Sequence, residues 1–243
     1  MENSIEINNL SKSFKDVKAV NDLSFKVKKG EFFAFLGVNG AGKTTTIKML
    51  SCLTRPSGGD ALLNGRSILH DSDDVKSIIA VSPQETAVAP LLSVRENLAL
   101  MAGIHGMSKA ETAEKIAALS EKLGLDTVLS RKAGKLSGGW QRRLSIAMAL
   151  ISDPEILFLD EPTLGLDVLA RSELWDLIRS LKGRMTIVLT THYMEEAEAL
   201  SDRTGIMKSG RLIAVGTPAE IKARAGTERF EEAFVKLVKE AEG

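Results

Sequence analysis

The sequence lacks two features that would assign it to large classes of protein. It has one cysteine, Cys52, which excludes an internal disulfide and suits a reducing compartment. Its 32 basic and 32 acidic residues leave no net charge, whereas proteins that bind nucleic acid through their overall charge carry a basic excess. The balance leaves room for a local basic patch, but it argues against bulk binding of nucleic acid.

Long apolar runs are also missing. No stretch approaches the roughly 18 apolar residues that a membrane-spanning helix requires, and residues 1–10 are too polar for a secretion signal. We therefore expect a soluble protein in which any membrane role requires a partner. The 243 residues suffice for one large domain or two small ones with an ample core.

The most informative stretch that is present is a glycine-rich turn. It fits the pattern G-x-x-x-x-G-K-[ST] and consists of Gly37, Val38, Asn39, Gly40, Ala41, Gly42, Lys43, Thr44 and Thr45. The apolar-rich run 31–36 before it predicts a buried parallel strand, and residues 46–50 begin a helix. In this setting backbone N–H groups face an anion, Lys43 reaches the terminal phosphates and Thr44 can ligate Mg²⁺. The alternative, an incidental lysine in a glycine-rich turn, does not account for the strand and the helix on either side.

Further polar sites come after other predicted buried strands. They are Gln84 after strand 78–81, Asp160 and Glu161 after strand 156–159, and His192 after strand 186–190. Open α/β sheets bind ligands at the carboxyl ends of their strands, which favours a functional interpretation of the two acids. A lone glutamine or histidine in such a place is more often structural.

Between residues 85 and 135 the composition changes to helix formers. Ser93 and Ser108 each open a capping box with a glutamate three residues later, and no strand pattern appears. We expect an all-helical insertion into an α/β core. Residues 136–140 then precede an apolar-rich helix that runs to about Ile151, and Ser137 taken alone is an ordinary N-cap.

The N-terminal segment predicts strands. Ile5 and Ile7 alternate with polar neighbours, which predicts a half-buried edge strand. Phe14 in the following loop is either a packing residue or a ring that stacks on a purine base.

Taken in order, these motifs resemble those of the nucleotide-binding subunit of an ABC transporter over essentially the whole chain. They are the Walker A motif at residues 37–44, the Q-loop at Gln84, the signature motif at residues 136–140, the Walker B motif at residues 156–160 with Glu161 next, the D-loop at residues 165–167 and the switch histidine His192. The resemblance implies an α/β fold with a P-loop NTPase core. That core is a RecA-like, mostly parallel sheet with an N-terminal antiparallel β subdomain and an inserted α-helical subdomain.

The resemblance also divides the chain. Residues 1–243 would form a single ABC ATPase domain, and its parts follow the motifs. They are an α/β core with its antiparallel part at residues 1–84 and 153–219, a helical subdomain with the signature motif at residues 85–152, and a C-terminal helical tail at residues 220–243.

With ATP and Mg²⁺ as cofactors, the resemblance implies a role for each site residue. The adenine stacks on Phe14, and ATP is bound by Gly37 to Thr45 and by Gln84. The Mg²⁺ ion is held by Thr44, Gln84 and Asp160, and the residues that take part in catalysis are Lys43, Glu161 and His192. The ATP of a second subunit is contacted by Ser137, Gly138 and Gly139. Glu161 activates the attacking water and His192 contacts the γ-phosphate. Three residues depart from the family's usual pattern: Phe14 replaces a tyrosine, Val38 a frequent proline, and Trp140 the glutamine of the signature motif.

A geometric argument supports a dimer. A helix over residues 140–151 is about 18 Å long, and its C-terminal end leads into the Asp160 strand of the same subunit. If the helix points its N-terminus away from that strand, Ser137 lies too far from its own subunit's nucleotide. It could contact the nucleotide of a second copy, or of a homologous ATPase subunit, in a head-to-tail pair that encloses two ATP molecules.

Within the family, the sequence most resembles the exporter branch, whose permeases are separate ABC-2-type proteins. Residues 37–46, 161–167 and 191–198 carry this resemblance. It implies a cytoplasmic subunit at the inner face of the cell membrane that binds its permease through the surface after Gln84, at residues 85–92. The alternatives are the ATPase of an importer and a soluble ABC ATPase with no transport role. The absence of a long coiled coil and of an excess of basic residues argues against the soluble ATPase. The transported substrate is a property of the permease.

Overall fold

A computed structural model describes residues 2–241. Ten strands within this range form two sheets. The strands are β1 (Asn3–Phe14), β2 (Val17–Lys28), β3 (Phe32–Leu36), β4 (Gly58–Leu63), β5 (Arg66–Ser67), β6 (Ile79–Ser82), β7 (Ile156–Asp160), β8 (Thr186–Thr191), β9 (Arg203–Lys208) and β10 (Arg211–Gly216).

Nine α-helices occur in the same part of the chain. They are α1 (Lys43–Leu50), α2 (Ser72–Ile78), α3 (Val94–Ile104), α4 (Lys109–Leu123), α5 (Gly138–Ala149), α6 (Val168–Arg179), α7 (Met194–Leu200), α8 (Pro218–Ala225) and α9 (Phe230–Glu240). Short 3-10 helices cover Asp126–Val128, Ala133–Lys135 and Leu150–Ser152, and the last of these continues α5. None of the described helices is both long and apolar enough to cross a membrane.

The larger sheet has six strands in the order β10-β9-β3-β8-β7-β6. Neighbouring strands from β9 to β6 run parallel, and β10 at one edge is antiparallel. β3 and β7 are buried along their whole length, which explains why their residues are apolar almost throughout instead of alternating with polar ones. The predicted mostly parallel core is confirmed.

The two faces of this sheet belong to different hydrophobic cores. Side chains point alternately to the two faces of a strand, so Phe32 and Ala34 of β3 join one core while Phe33 and Phe35 join the other. The first core also contains apolar residues of α3, α4 and α5, and the second contains those of α1 and the smaller sheet. The larger sheet is therefore covered by helices on one face and mainly by the smaller sheet on the other.

The smaller sheet is antiparallel and has the order β2-β1-β4-β5. β1 pairs with β2 on one side and with β4 on the other, so the prediction that Ile5 and Ile7 lie in an edge strand is wrong. The alternation of apolar and polar residues reports which face of a strand is buried. It carries no information on whether both edges of the strand are paired.

The helical insertion begins with the two predicted capping boxes. The side chain of Ser93 accepts a hydrogen bond from the N–H of Glu96, whose carboxylate accepts one from the N–H of Ser93, and Ser108 and Glu111 repeat the arrangement. Apolar residues of α3 to α5 share one continuous core with the larger sheet. The boundaries of a helical subdomain at residues 85 and 152 therefore stay a prediction. Helix α2 is not apparent in the sequence because its seven residues are too few to establish a period.

Candidate functional site

The predicted sites lie along one edge of the larger sheet. The parallel register places Leu36 of β3 opposite Thr191 of β8, and Thr190 opposite Asp160 of β7. Because the carboxyl ends of parallel strands meet at the same edge, the segments that follow them converge there. The residues brought to this edge by β3, β6, β7 and β8 are Gly37, Gln84, Glu161 and His192.

These segments surround a cavity of about 330 Å³, which we call the phosphate pocket. Its lining combines the glycine-rich turn with residues from three other strand ends. The lining residues are Asn39, Gly40, Ala41, Gly42, Lys43, Thr44, Thr45, Gln84, Glu161, Leu164 and His192.

The glycine-rich turn leads directly into α1. Gly42 precedes the helix with φ at 101°, and a Cβ at this position would lie 2.5 Å from the backbone oxygen of Ala19. Glycine is therefore required by the protein's own packing. Gly42 also caps α1 without contributing a side chain, so the first N–H groups of the helix and its positive end stay available to an anion in the pocket.

Lys43 is the buried cation of the phosphate pocket. Its Nζ donates to the backbone oxygens of Gly37 at 2.7 Å and Val38 at 3.3 Å, and it lies 3.5 Å from Oε1 of Glu161. Burial lowers the pKa of Lys43, and the negative charges of Glu161 and Asp160 oppose that shift. An ammonium group held in this way forms a strong, charge-assisted hydrogen bond with a phosphate oxygen.

Oxygen donors suitable for Mg²⁺ lie beside the lysine. The hydroxyl of Thr44 donates to Oδ1 of Asp160 at 3.0 Å, and the hydroxyl of Thr190 donates to the same oxygen. Among residues 2–241 no cluster of three or more His, Cys, Asp or Glu could hold a metal alone. This donor set fits Mg²⁺, which typically takes one or two protein carboxylates and completes its shell with water and substrate phosphates.

Glu161 follows β7 in a left-handed backbone conformation, with φ at 46°. Such a conformation costs on the order of 1–3 kcal/mol in a non-glycine residue and occurs mainly where the surroundings enforce it. Here the N–H of Glu161 donates to both the backbone and the hydroxyl oxygen of Thr190, each at 3.1 Å. The buried carboxylate lies with Oε2 at 3.1 Å from Nδ1 of His192. The bent backbone thus turns a carboxylate into the pocket, where it can accept a proton from a water molecule.

Some predicted site residues do not line the phosphate pocket. The ring of Phe14 is 49% exposed and lies under Nζ of Lys12, 5.0 Å from the ring centroid. Ser137, Gly138 and Gly139, which we call the signature face, begin α5. Ser137 and Gly138 are exposed.

The signature face packs closely against the segment that follows Glu161. A Cβ on Gly138 would lie 3.6 Å from Leu166, and one on Gly139 would lie 3.2 Å from the Cβ of Ala170. A side chain at position 139 would therefore press on α6 of the same chain. The two glycines let this end of α5 lie close to the segment after Glu161, and the signature face does not line the chain's own phosphate pocket.

Two buried charged residues near the pocket are not apparent in the sequence. Arg142 of α5 donates to backbone oxygens at and just before Gln84. Glu196 of α7 accepts hydrogen bonds from the hydroxyl of Thr163 at 2.9 Å and from Nε1 of Trp175 at 3.0 Å. Charged residues on helices are usually exposed, so helical periodicity alone does not identify them as buried. The signal that could have indicated Arg142 is its position in an apolar-rich helix.

The charges of both residues are disfavoured by their surroundings. Burial lowers the pKa of Arg142, while Asp160 and Glu196 act in the opposite direction. Burial raises the pKa of Glu196, and its hydrogen bonds with Thr191, Thr163 and Trp175 reduce the rise.

The sequence and the structure were compared with known proteins. The sequence profile of the ABC transporter family matches residues 20–164. The doxorubicin resistance ATP-binding protein DrrA of Mycobacterium tuberculosis is 42% identical over 225 residues, which cover 91% of this chain and 68% of the relative. The Nod factor export ATP-binding protein I of Burkholderia orbicola is 44% identical over 229 residues, covering 93% of this chain and 75% of that protein.

Solved structures are similar over most of their length. An ATP-binding subunit of an ABC transporter has a TM-score of 0.84 at 31% identity, and the match covers 96% of this chain and 98% of the other. A dimeric post-hydrolysis state of the ATP-binding cassette MJ0796, bound to ADP and Pi, has a TM-score of 0.78 at 26% identity, with 88% and 98% covered.

Proposed function

This chain is an ATP-binding and ATP-hydrolysing member of the ABC transporter family, and we propose that it is the motor subunit of an exporter whose permease is a separate membrane protein. The observation that carries the proposal is the phosphate pocket. It gathers a buried lysine, a hydroxyl–carboxylate pair for a metal and a carboxylate beside a histidine at one sheet edge. One relative is named for Nod factor export and another for doxorubicin resistance, which favours export over import.

The residues of the pocket divide the work of hydrolysis. The first N–H groups of α1 and Nζ of Lys43 bind the β- and γ-phosphates. Thr44, Gln84 and Asp160 would hold Mg²⁺, which neutralises phosphate charge when it is bound. Glu161 accepts a proton as the water oxygen bonds to the γ-phosphorus and the bond to the β-phosphate oxygen breaks, and His192 orients Glu161 and contacts the γ-phosphate.

The signature face supports a dimer. It does not line the chain's own phosphate pocket, and Ser137 and Gly138 are exposed. Ser137, Gly138 and Gly139 therefore suit the ATP of a second subunit, either another copy of this chain or a homologous ATPase. In a two-fold arrangement the same surfaces of both subunits exchange these contacts and enclose two ATP molecules. In such a dimer Phe14 would stack on the adenine of its own subunit's ATP.

The permease would dock on the helical insertion. Three large apolar side chains are exposed there, Leu91 just before α3 and Leu100 and Ile104 on its surface. Apolar side chains exposed together on a soluble domain commonly mark a surface that binds another protein. The adjoining residues 85–92, directly after Gln84, connect this surface with the phosphate pocket. The subunit would accordingly lie on the cytoplasmic side of the cell membrane, held there by the permease.

The test is capture of the partner from detergent-solubilised membranes with tagged Glu161→Gln protein and ATP. This variant is expected to retain ATP without hydrolysing it. We expect recovery of a polytopic protein that carries no ATPase motifs of its own, and its loss when Lys43→Ala is added to prevent ATP binding.

Other outcomes of this capture would contradict the export proposal. Recovery of a permease together with a substrate-binding protein would indicate an importer. Recovery of soluble proteins or nucleic acid alone would indicate an ABC ATPase without a transport role.

A further inference from the structure

The side chain of Arg142 joins α5 to the backbone that carries Gln84. Its guanidinium group donates from Nη1 to the backbone oxygen of Pro83 at 2.7 Å and from Nη2 to that of Gln84 at 2.6 Å. The residue is only 5% exposed. A planar guanidinium that binds two successive carbonyl groups fixes both their distance and their direction, which a single hydrogen bond cannot do.

A second contact of α5 reinforces the first. One turn further along the helix, the hydroxyl of Ser145 lies 3.0 Å from that of Ser82, the last residue of β6. Both hydroxyls are buried. Two successive turns of α5 are therefore attached to the end of β6 and to the loop that follows it.

These contacts connect two parts of the molecule that serve different nucleotides in the proposed dimer. Arg142 lies three residues after Gly139 on the same helix, so it moves with the signature face as one rigid element. Gln84, at the other end of the contact, lines the phosphate pocket of its own chain. A shift of α5 toward a second subunit would pull on the Pro83 and Gln84 carbonyl groups.

We propose that Arg142 is a positioning residue that couples engagement of the signature face with a partner's ATP to the placement of Gln84 in its own phosphate pocket. This inference rests on the proposed function, because it requires an ATP-dependent dimer. Its consequence is reciprocal: if Mg²⁺ near Gln84 changes the dimerisation constant, then dimerisation changes the affinity for Mg²⁺ by the same factor. Arg142 carries this coupling without touching ATP or the metal.

The experiment measures dimerisation of Glu161→Gln protein in ATP by analytical ultracentrifugation, once with Mg²⁺ and once with EDTA. The ratio of the two dissociation constants is the coupling. We expect the parent ratio to differ from one by about fivefold or more, which is the lower end of usual coupling. Adding Arg142→Ala should bring the ratio close to one, and Arg142→Lys, which can reach one carbonyl group at a time, should give an intermediate ratio.

Arg143→Ala is the matched control on the same helix. Arg143 pairs with Glu173 of α6 and lies against the ring of Trp140, but it makes no described contact with the Gln84 loop. Any loosening of α5 in this variant should change both dissociation constants alike, so that their ratio stays at the parent value. Equal loss of the ratio in the Arg142 and Arg143 variants would overturn the inference, as would an unchanged ratio in Arg142→Ala.

Failures of the two proposals give different results. A parent protein that forms no ATP-dependent dimer contradicts the proposed function, and the inference falls with it. A parent that dimerises with a ratio of one contradicts the inference alone. If thermal melting shows that Arg142→Ala is unfolded, Arg142→Lys decides, because a folded lysine variant with the parent ratio excludes a role for the paired hydrogen bonds.

Discussion

The phosphate pocket and the signature face belong to one chain but differ in how much of a binding site each contains. In the pocket, Lys43 and Glu161 are buried and already bonded to neighbouring groups, so their geometry is set before a ligand arrives. At the signature face, Ser137 and Gly138 are exposed, and a Cβ on either glycine would contact Leu166 or Ala170 behind it. The first region is therefore preformed within one chain, whereas in the proposed dimer the second would be completed by a partner.

The largest expected effect concerns the completed site. Glu161→Gln removes the carboxylate that we propose accepts the water proton, but it keeps the size of the side chain. We expect the turnover rate to fall by about 10²–10⁴, while ATP affinity, measured with a fluorescent ATP analogue, stays nearly unchanged. Glu195→Gln, an exposed neighbour of the buried Glu196, is the control and should hydrolyse ATP normally. Near-normal turnover in Glu161→Gln would mean that another group is the base.

A smaller effect should separate the two regions. Ser137→Arg places a bulky cation on the exposed signature face and leaves the phosphate pocket intact. We expect ATP affinity of the monomer to stay within about twofold, while ATP-dependent dimerisation in the Glu161→Gln background weakens at least tenfold, roughly the loss of one good interface contact. Size-exclusion chromatography with ATP measures this change. Ser130→Arg, at another exposed serine of the helical insertion, should dimerise like the parent; equal dimerisation by both variants would contradict the partner role of the signature face.

The smallest expected effect concerns Glu196, the buried carboxylate that accepts hydrogen bonds from Thr163 and Trp175. Burial raises the pKa of Glu196 above its ordinary value of 4.5, so the folded protein holds this proton at pH values where the unfolded chain releases it. Stability therefore falls as pH rises above about 4.5 and through the raised pKa of the folded state. Glu196→Gln removes this dependence and keeps an oxygen for the hydrogen bonds from Thr163 and Trp175.

Thermal melting across pH measures the effect. The melting temperature of Glu196→Gln relative to the unaltered protein should rise by a few degrees from acidic to neutral pH. Glu195→Gln, at an exposed position, is the control and should show no such trend. A constant difference across pH would mean that Glu196 is charged in the folded protein.

Short-range patterns in the sequence account for much of the fold. The capping boxes at Ser93 and Ser108 depend on residues three positions apart, and both are present as predicted. The buried strands β3 and β7 follow from apolar runs that no exposed strand would carry. The central position of β1 could not be predicted, since pairing with β4 joins residues 47 to 58 positions apart.

The candidate site likewise has features that the sequence predicts and features that depend on long-range packing. The sequence by itself indicated the chemistry of the phosphate pocket, because a glycine-rich turn and a lysine suit a phosphate through local geometry and charge, and strand-end acids suit a metal ion and a water proton. It also assigned the chain to its family. Only the tertiary structure decided that Arg142 is buried against the Pro83 and Gln84 carbonyl groups, and that Phe14 and the signature face lie outside the pocket lining. The physical reason is that burial and long-range contact depend on how distant elements pack, and a charged residue on a helix has the same local pattern whether it faces solvent or another backbone.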